Sequence, residues 1–227
     1  MAVRSHTVQI FDHPFPFGAP TMNRLGIYFR ATLLIALLAS LSATYASAAS
    51  WIEADDGDLS GDYQNPTEIN LDLGVNTIRA TSGATTSLDL EYFRLNLPAQ
   101  GQIDAIILRA FETLFDGTAF IGVQEGTSFS FPADEANMKV GELLGWSHFG
   151  LFEGGIDGDI LPGMGTNFGA IGFTGPLTGS SYTFWTQQQG MEITYELDFV
   201  VSAVPEPASA MAALSAIALC GMRRRRV

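Results

Sequence analysis

Between residues 53 and 62 the chain reads EADDGDLSGD, and Asp56, Asp58, Ser60 and Asp62 recur there at every second position around Gly57 and Gly61. Alternate oxygen-bearing side chains on a glycine-rich loop suit a hard cation such as calcium, which takes about six to eight oxygen ligands. A full calcium-loop signature ends on a bidentate glutamate at its twelfth place. Thr67 stands at that place here, with Glu68 one residue later. A solvated acidic turn accounts for the same residues, so calcium ligation and plain solvation both stay open at this point. Asp157-Gly158-Asp159 repeats the pattern in shorter form.

Two further sets of residues could do chemistry. His148 is the one histidine between residues 49 and 203, so a Ser-His-Asp arrangement has to be built on it, and a His-rich metal centre cannot be built at all. No G-x-S-x-G elbow accompanies it. Between Ser147 and Phe149 and beside Trp146, it reads as a partly buried, hydrogen-bonded strand residue. A glycosidase needs only two carboxylates about 5 to 10 Å apart, which so acidic a chain can supply. The second set is aromatic: Trp51, Trp146, Trp185 and the run Gln187-Gln188-Gln189 offer stacking faces and amide donors to a sugar. Core packing is the competing role for Trp146 and Trp185. The carbohydrate candidates are therefore Trp51, Trp185 and Gln187.

The elements that must position these residues are short strands. Ile69, Leu71 and Leu73 alternate with polar neighbours, and residues 75–80 follow after Gly74. In residues 88–97 the apolar set changes parity at Tyr92 and Phe93, which predicts either a bulge or burial on both faces. Residues 103–111 are apolar at both parities and read as a central strand buried on two sides. Shorter pieces are expected at 120–123, 129–131, 143–149 and 170–173, the last inside a Gly-rich stretch of long loops. Tyr182, Phe184 and Thr186 alternate with Thr183, Trp185 and Gln187. The clearest strand is the last, with Ile193, Tyr195, Leu197, Phe199 and Val201 inward and Glu192, Thr194, Glu196 and Asp198 toward water. With no helix-length period between Trp51 and Ala203, the expected fold is all-β, a jelly-roll-like antiparallel β-sandwich. An immunoglobulin-like sandwich is the runner-up, without the cysteines that would support it.

Residues 49–203 make one domain of ordinary size. They hold 22 acidic residues against four basic ones, Arg79, Arg94, Arg109 and Lys139, for a formal charge of −18. Such a surface repels nucleic acid and favours cations or cationic partners. The only cysteine is Cys220, so no disulfide and no Cys-based zinc site supports this domain.

The ends carry addresses. Residues 1–21 lack clear periodicity and precede Met22, from which a secretory signal reads through to residue 48. Arg24 and Arg30 lie in its n-region, residues 31–41 form its apolar stretch, and Ala46-Ser47-Ala48 precede the cut. Translation is expected to start at Met22, making 1–21 a non-native extension, although a long n-region would also serve. At the other end, residues 204–227 place Val204, Pro205, Glu206 and Pro207 before an apolar helical run, 208–222, and then Arg223, Arg224, Arg225 and Arg226. An apolar run followed at once by arginines reads as a membrane helix with its charged end in the cytoplasm. At 1.5 Å per residue it spans about 22 Å, short of the roughly 30 Å hydrocarbon core, which suits a temporary hold.

This tail resembles a PEP-CTERM sorting signal. The resemblance implies recognition by an exosortase-type membrane transpeptidase and removal of the tail, in Gram-negative bacteria that make exopolysaccharide. A second resemblance lies at LDLEYFRLNLP, residues 88–98. It is similar to the D-x-D-Y-F-x-F-x-L strand of bacterial pre-peptidase C-terminal domains, with Asp89, Tyr92, Phe93 and Leu95 matching and Glu91 in place of the second Asp. SSYTFWTQQ resembles that family's G-x-Y-x-F strand through Tyr182 and Phe184, with Ser181 replacing the glycine. It implies a non-catalytic β-sandwich that accompanies secreted or surface proteins.

The expected function is that of an exported cell-surface or extracellular-matrix protein, flanked by a signal helix and an apolar C-terminal helix. Carbohydrate or calcium binding is its candidate activity, extracellular polysaccharide its candidate partner, and a carboxylate-dependent polysaccharide hydrolase the alternative.

Overall fold

In the computed structural model, which describes residues 49–83, 89–114, 117–132 and 140–204, nine strands form two sheets. The strands are β1 (Ser50–Ile52), β2 (Thr67–Asn70), β3 (Gly74–Ser82), β4 (Leu90–Asn96), β5 (Gly101–Thr113), β6 (Thr118–Glu125), β7 (Gly145–Gly150), β8 (Ser181–Gln187) and β9 (Ile193–Ala203). One sheet has the order β1-β3-β9-β5 and the other β2-β4-β8-β6-β7. Two short helices complete the described residues, α1 (Glu53–Asp56) and α2 (Leu161–Thr166), with a 3-10 turn at Val140–Glu142. Among the described residues no helix is long and apolar enough to cross a membrane.

The two sheets meet through aromatic side chains of alternating strand positions. Phe93 on β4 stacks on Phe184 of β8 at 5.5 Å, and both rings meet Phe199 of β9 edge-on across the interface. Tyr195 of β9 and Thr186 of β8 share a hydrogen bond of 2.7 Å within the same core. Each fully buried aromatic or aliphatic side chain of this kind contributes about 1.5–3 kcal/mol through removal from water. The last strand buries Ile193, Tyr195, Leu197, Phe199 and Val201 as its alternation predicts. Asp198, expected in water, is instead buried.

The pairing is not antiparallel throughout. β1 runs parallel to β3 and β2 parallel to β4. Both are short strands at sheet ends, and each is separated from its partner by a long connection, as parallel neighbours require.

The two strands that were apolar at both parities differ in cause. β4 pairs with β8 without a shift from Leu90 opposite Gln187 to Asn96 opposite Ser181, and both its faces are buried. β5 is the end strand of its sheet rather than a central one. Its register against β9 slips between Ile103 and Ala105 and again between Leu108 and Ala110. Each slip inserts one residue and flips the parity, so Ile103, Ile106, Leu108 and Phe111 all reach one core while Asp104 and Arg109 stay outside. The free edge of β5 is met by isolated bridges from Asp159 and Leu177.

Residues 170–173 form no strand, and a helix absent from the sequence reading, α2, precedes them. Pro162 lies in its first turn, and Asp159 Oδ1 accepts the Leu161 N–H at 3.0 Å. Its glycines disguise it, because glycine is a poor helix former. Gly165 is required by contact: a Cβ there would lie 2.3 Å from the Phe173 carbonyl oxygen.

Candidate functional site

The five-stranded sheet buries its second face as well. Tyr92 of β4, Trp185 of β8 and Phe120 of β6 point away from the main core, and Phe129, Phe131 and Leu143 cover them to form a second apolar cluster. Residues 129–131, expected as a strand, serve as this cover. Phe120 lies opposite Gln187 on one side and His148 on the other, and Gly122 lies opposite Trp185 and Trp146. A Cβ at position 122 would press on the Phe120 ring at 3.1 Å. Without it, that ring sits 4.7 Å from Trp185 and stacks on Trp146 at 6.0 Å and 19°.

Where this cluster reaches the edge of the sheet, a pocket of about 370 Å³ opens, lined by Thr118, Phe120, Trp146, His148, Gln187, Gln188 and Gln189. The half-buried Trp146 is fixed from the loop after α2: its Nε1 donates to the Phe168 carbonyl at 3.2 Å, and Asn167 Nδ2 donates to the Trp146 carbonyl at 2.8 Å. His148 is exposed, not partly buried, and meets Trp146 and Phe120 edge-on at 5.5 and 6.1 Å. An aromatic floor beside three amides can take the apolar face of a ring while donating to and accepting from its hydroxyls.

Of the carbohydrate candidates, Gln187 is in the pocket. Trp185 has no exposed surface and forms its support from beneath, so its ring offers no face to a ligand. Trp51 lies elsewhere, packed against the main core with Nε1 donating to the Gly57 carbonyl at 3.2 Å. Phe120 was read only as a strand residue. Its place opposite both Gln187 and His148 depends on the order of three strands, which no local pattern carries.

The acidic loop spends most of its oxygens locally. Asp56 Oδ2 accepts the Ile52 N–H at 2.7 Å, Ser60 Oγ that of Asp62 at 3.1 Å, and Asp62 those of Gln64 and the Asn65 amide at 2.9 and 2.7 Å. Asp157 pairs with Arg109 at 2.6 Å, and Asp159 accepts the N–H groups of Ile106 and Leu161. Asp58 behaves differently. Tyr92 N–H donates to the Ser60 carbonyl at 2.7 Å, which seats this loop on β4 and brings Asp58 to Asp89 and Glu91, with an oxygen of each within 4.8 Å of the others. Burial first, and then the charges of Asp89, Asp58 and Glu53, push the Glu91 carboxyl up to about 9. Asp89 is raised as well, by burial and by Asp58. A second cavity of about 340 Å³ lies alongside, lined by Glu53, Asp58, Arg79 and Thr81 among others.

Val204 follows the last strand, exposed, with its N–H donating to the Gln100 carbonyl at 2.7 Å. The remaining sorting residues, Pro205, Glu206, Pro207 and Arg223 to Arg226, and the cleavage residues Ala46 and Ala48, lie outside the described residues. The fold and site define an all-β, two-sheet sandwich with an aromatic and amide pocket on one outer face. Comparison with family models, with curated proteins and with solved structures finds no match for this chain.

Proposed function

We propose that this chain is an exported, non-enzymatic sandwich of jelly-roll topology that binds extracellular polysaccharide at the cell surface or in the matrix around it. Sorting would proceed through its PEP-CTERM-like tail and an exosortase-type transpeptidase. The observation that carries the binding reading is the pocket where Trp146 and Phe120 meet Gln187, Gln188 and Gln189. Its mixture of flat apolar rings and amides fits the two kinds of surface on a pyranose.

The jelly-roll reading is supported by strand order. β1, β3, β9 and β5 face β2, β4, β8, β6 and β7, and the bridges from Asp159 and Leu177 onto β5 fall where a further strand would bring the four-stranded sheet to five. The competing hydrolase needs a protonated carboxyl that reaches a glycosidic oxygen. The carboxyl pushed up to about 9, Glu91, has no exposed surface. Among the described residues no carboxylate lines the Trp146 pocket.

The test is a panel of soluble polysaccharides offered to the purified full-length chain in detergent, scored for binding and for released reducing ends. Retention of one polysaccharide by the parent and its loss in Trp146→Ala and Gln187→Ala supports the module. Turnover that disappears with a single Asp or Glu substitution would replace it with the hydrolase.

A further inference from the structure

Asp58, Asp89 and Glu91 come from two separate stretches, the loop after α1 and the start of β4, and their carboxylate oxygens lie within 4.8 Å of one another. Three carboxyl groups at that spacing cannot all carry their charge unless something compensates them. Glu91 shares the inward parity of Phe93 and Leu95, has no exposed surface, and neither of its oxygens has a hydrogen-bond partner among the described residues. A carboxyl buried in that way can carry its charge only at a cost of several kcal/mol unless a cation meets it.

The cations among the described residues are engaged elsewhere. Arg79 pairs with Glu112 and Glu196, Arg94 with Glu68, and Arg109 with Asp157 and Asp198. Among the described residues no ion pair reaches the three acids. Glu53 adds to the negative field from the α1 side while it accepts the Thr81 N–H.

We propose that Asp58, Asp89 and Glu91 bind a hard divalent cation of the calcium class, which ties the loop after α1 to the start of β4. The donor set is oxygen alone, which selects against soft and imidazole-seeking metals. Asp58 is exposed and Asp89 half-exposed, so water can complete the coordination on that side, as calcium's variable ligand number allows. The Ser60 to Tyr92 backbone bridge holds one stretch against the other, and Ser82 Oγ donates to the Asp89 carbonyl at 3.1 Å, so the positions of the ligands are set before any ion arrives. The alternate-residue loop of the sequence thus contributes Asp58 alone, and β4 supplies the rest.

The experiment titrates calcium chloride into the chelator-treated full-length chain in detergent, up to about 1 mM, the weak end for extracellular modules. Heat of binding and the thermal midpoint are both read. The expected result is one ion per chain and a raised midpoint. Affinity should fall at least about tenfold in Asp89→Asn and Glu91→Gln, the lower end of what losing even an outer-shell partner costs. Asp58→Asn, at an exposed position, gives the same reading if Glu91→Gln fails to fold. Asp56→Asn and Asp62→Asn should respond as the parent does. No heat and no midpoint shift in the parent would overturn the site. So would a response that survives in Asp58→Asn, Asp89→Asn and Glu91→Gln, or one that is lost in Asp56→Asn or Asp62→Asn.

Discussion

Arg109 Nε donates to Asp198 Oδ2 at 2.6 Å, although Asp198 is paired in register with Ile107 and not with Arg109. Arg109 is the residue inserted at the second slip of β5, and that extra position lets it lie over the outer face of β9. Its other arm reaches Asp157 at 2.6 Å, in the segment that meets the free edge of β5. One bulge therefore joins β9, β5 and the loop beyond them, and it explains why Asp198 is buried in a strand whose alternation sends it to water.

Asp198 also accepts from Thr77 Oγ1 at 2.6 Å, so it satisfies donors on both neighbouring strands. Asp198→Asn keeps the shape, removes the charge and turns an amide toward the guanidinium. We expect a loss of about 1–3 kcal/mol, the range for a buried group deprived of a charged partner. A lower urea midpoint at unchanged slope checks it, and an unchanged midpoint would mean that the contact carries no net stability.

The pocket and its support divide the tryptophans into reporters. Trp185 has no exposed surface, whereas Trp146 lines the pocket and retains exposure. Polysaccharide should change the emission of the parent and leave that of Trp146→Phe unchanged. Acrylamide should quench the Trp146 contribution and spare that of Trp185. An equal ligand response in parent and Trp146→Phe would move the binding site away from this pocket.

The alternation of β9 and the absence of long helical periods made the sandwich legible, because each strand's burial is written in its own residues. The two-parity strands were not legible. Tyr92 and Phe93 lie on opposite faces of an unbroken ladder, whereas Ile103 and Ile106 share a face across a slip, yet both segments carry apolar residues at both parities in sequence. Only the register of a distant partner separates the two cases. The same limit applied to the sites. Asp58 was read as a ligand beside Asp56 and Asp62, its sequence neighbours, but the structure places it beside Asp89 and Glu91, about thirty residues away in the chain. Gln187 was found from an amide run, while Phe120 and the exposure of His148 depended on which strands lie next to β6.

Acid should loosen the β2 edge. The Glu68 carboxylate receives the Arg94 guanidinium and, at 2.7 Å, the Asn96 amide, and these two contacts, Arg94 first, hold it below its ordinary value of 4.5. The unfolded chain therefore takes up a proton at higher pH than the folded one, so stability rises with pH across that window. The contribution is fully present above about pH 4.5 and is lost as pH falls through the lowered folded value. Glu68→Gln removes it. Urea midpoints at pH 6 and at about pH 3 should converge more closely in Glu68→Gln than in the parent, by a small margin because the pair is exposed to solvent. Parallel acid limbs in the two proteins would show that the β2 edge does not take part in acid unfolding.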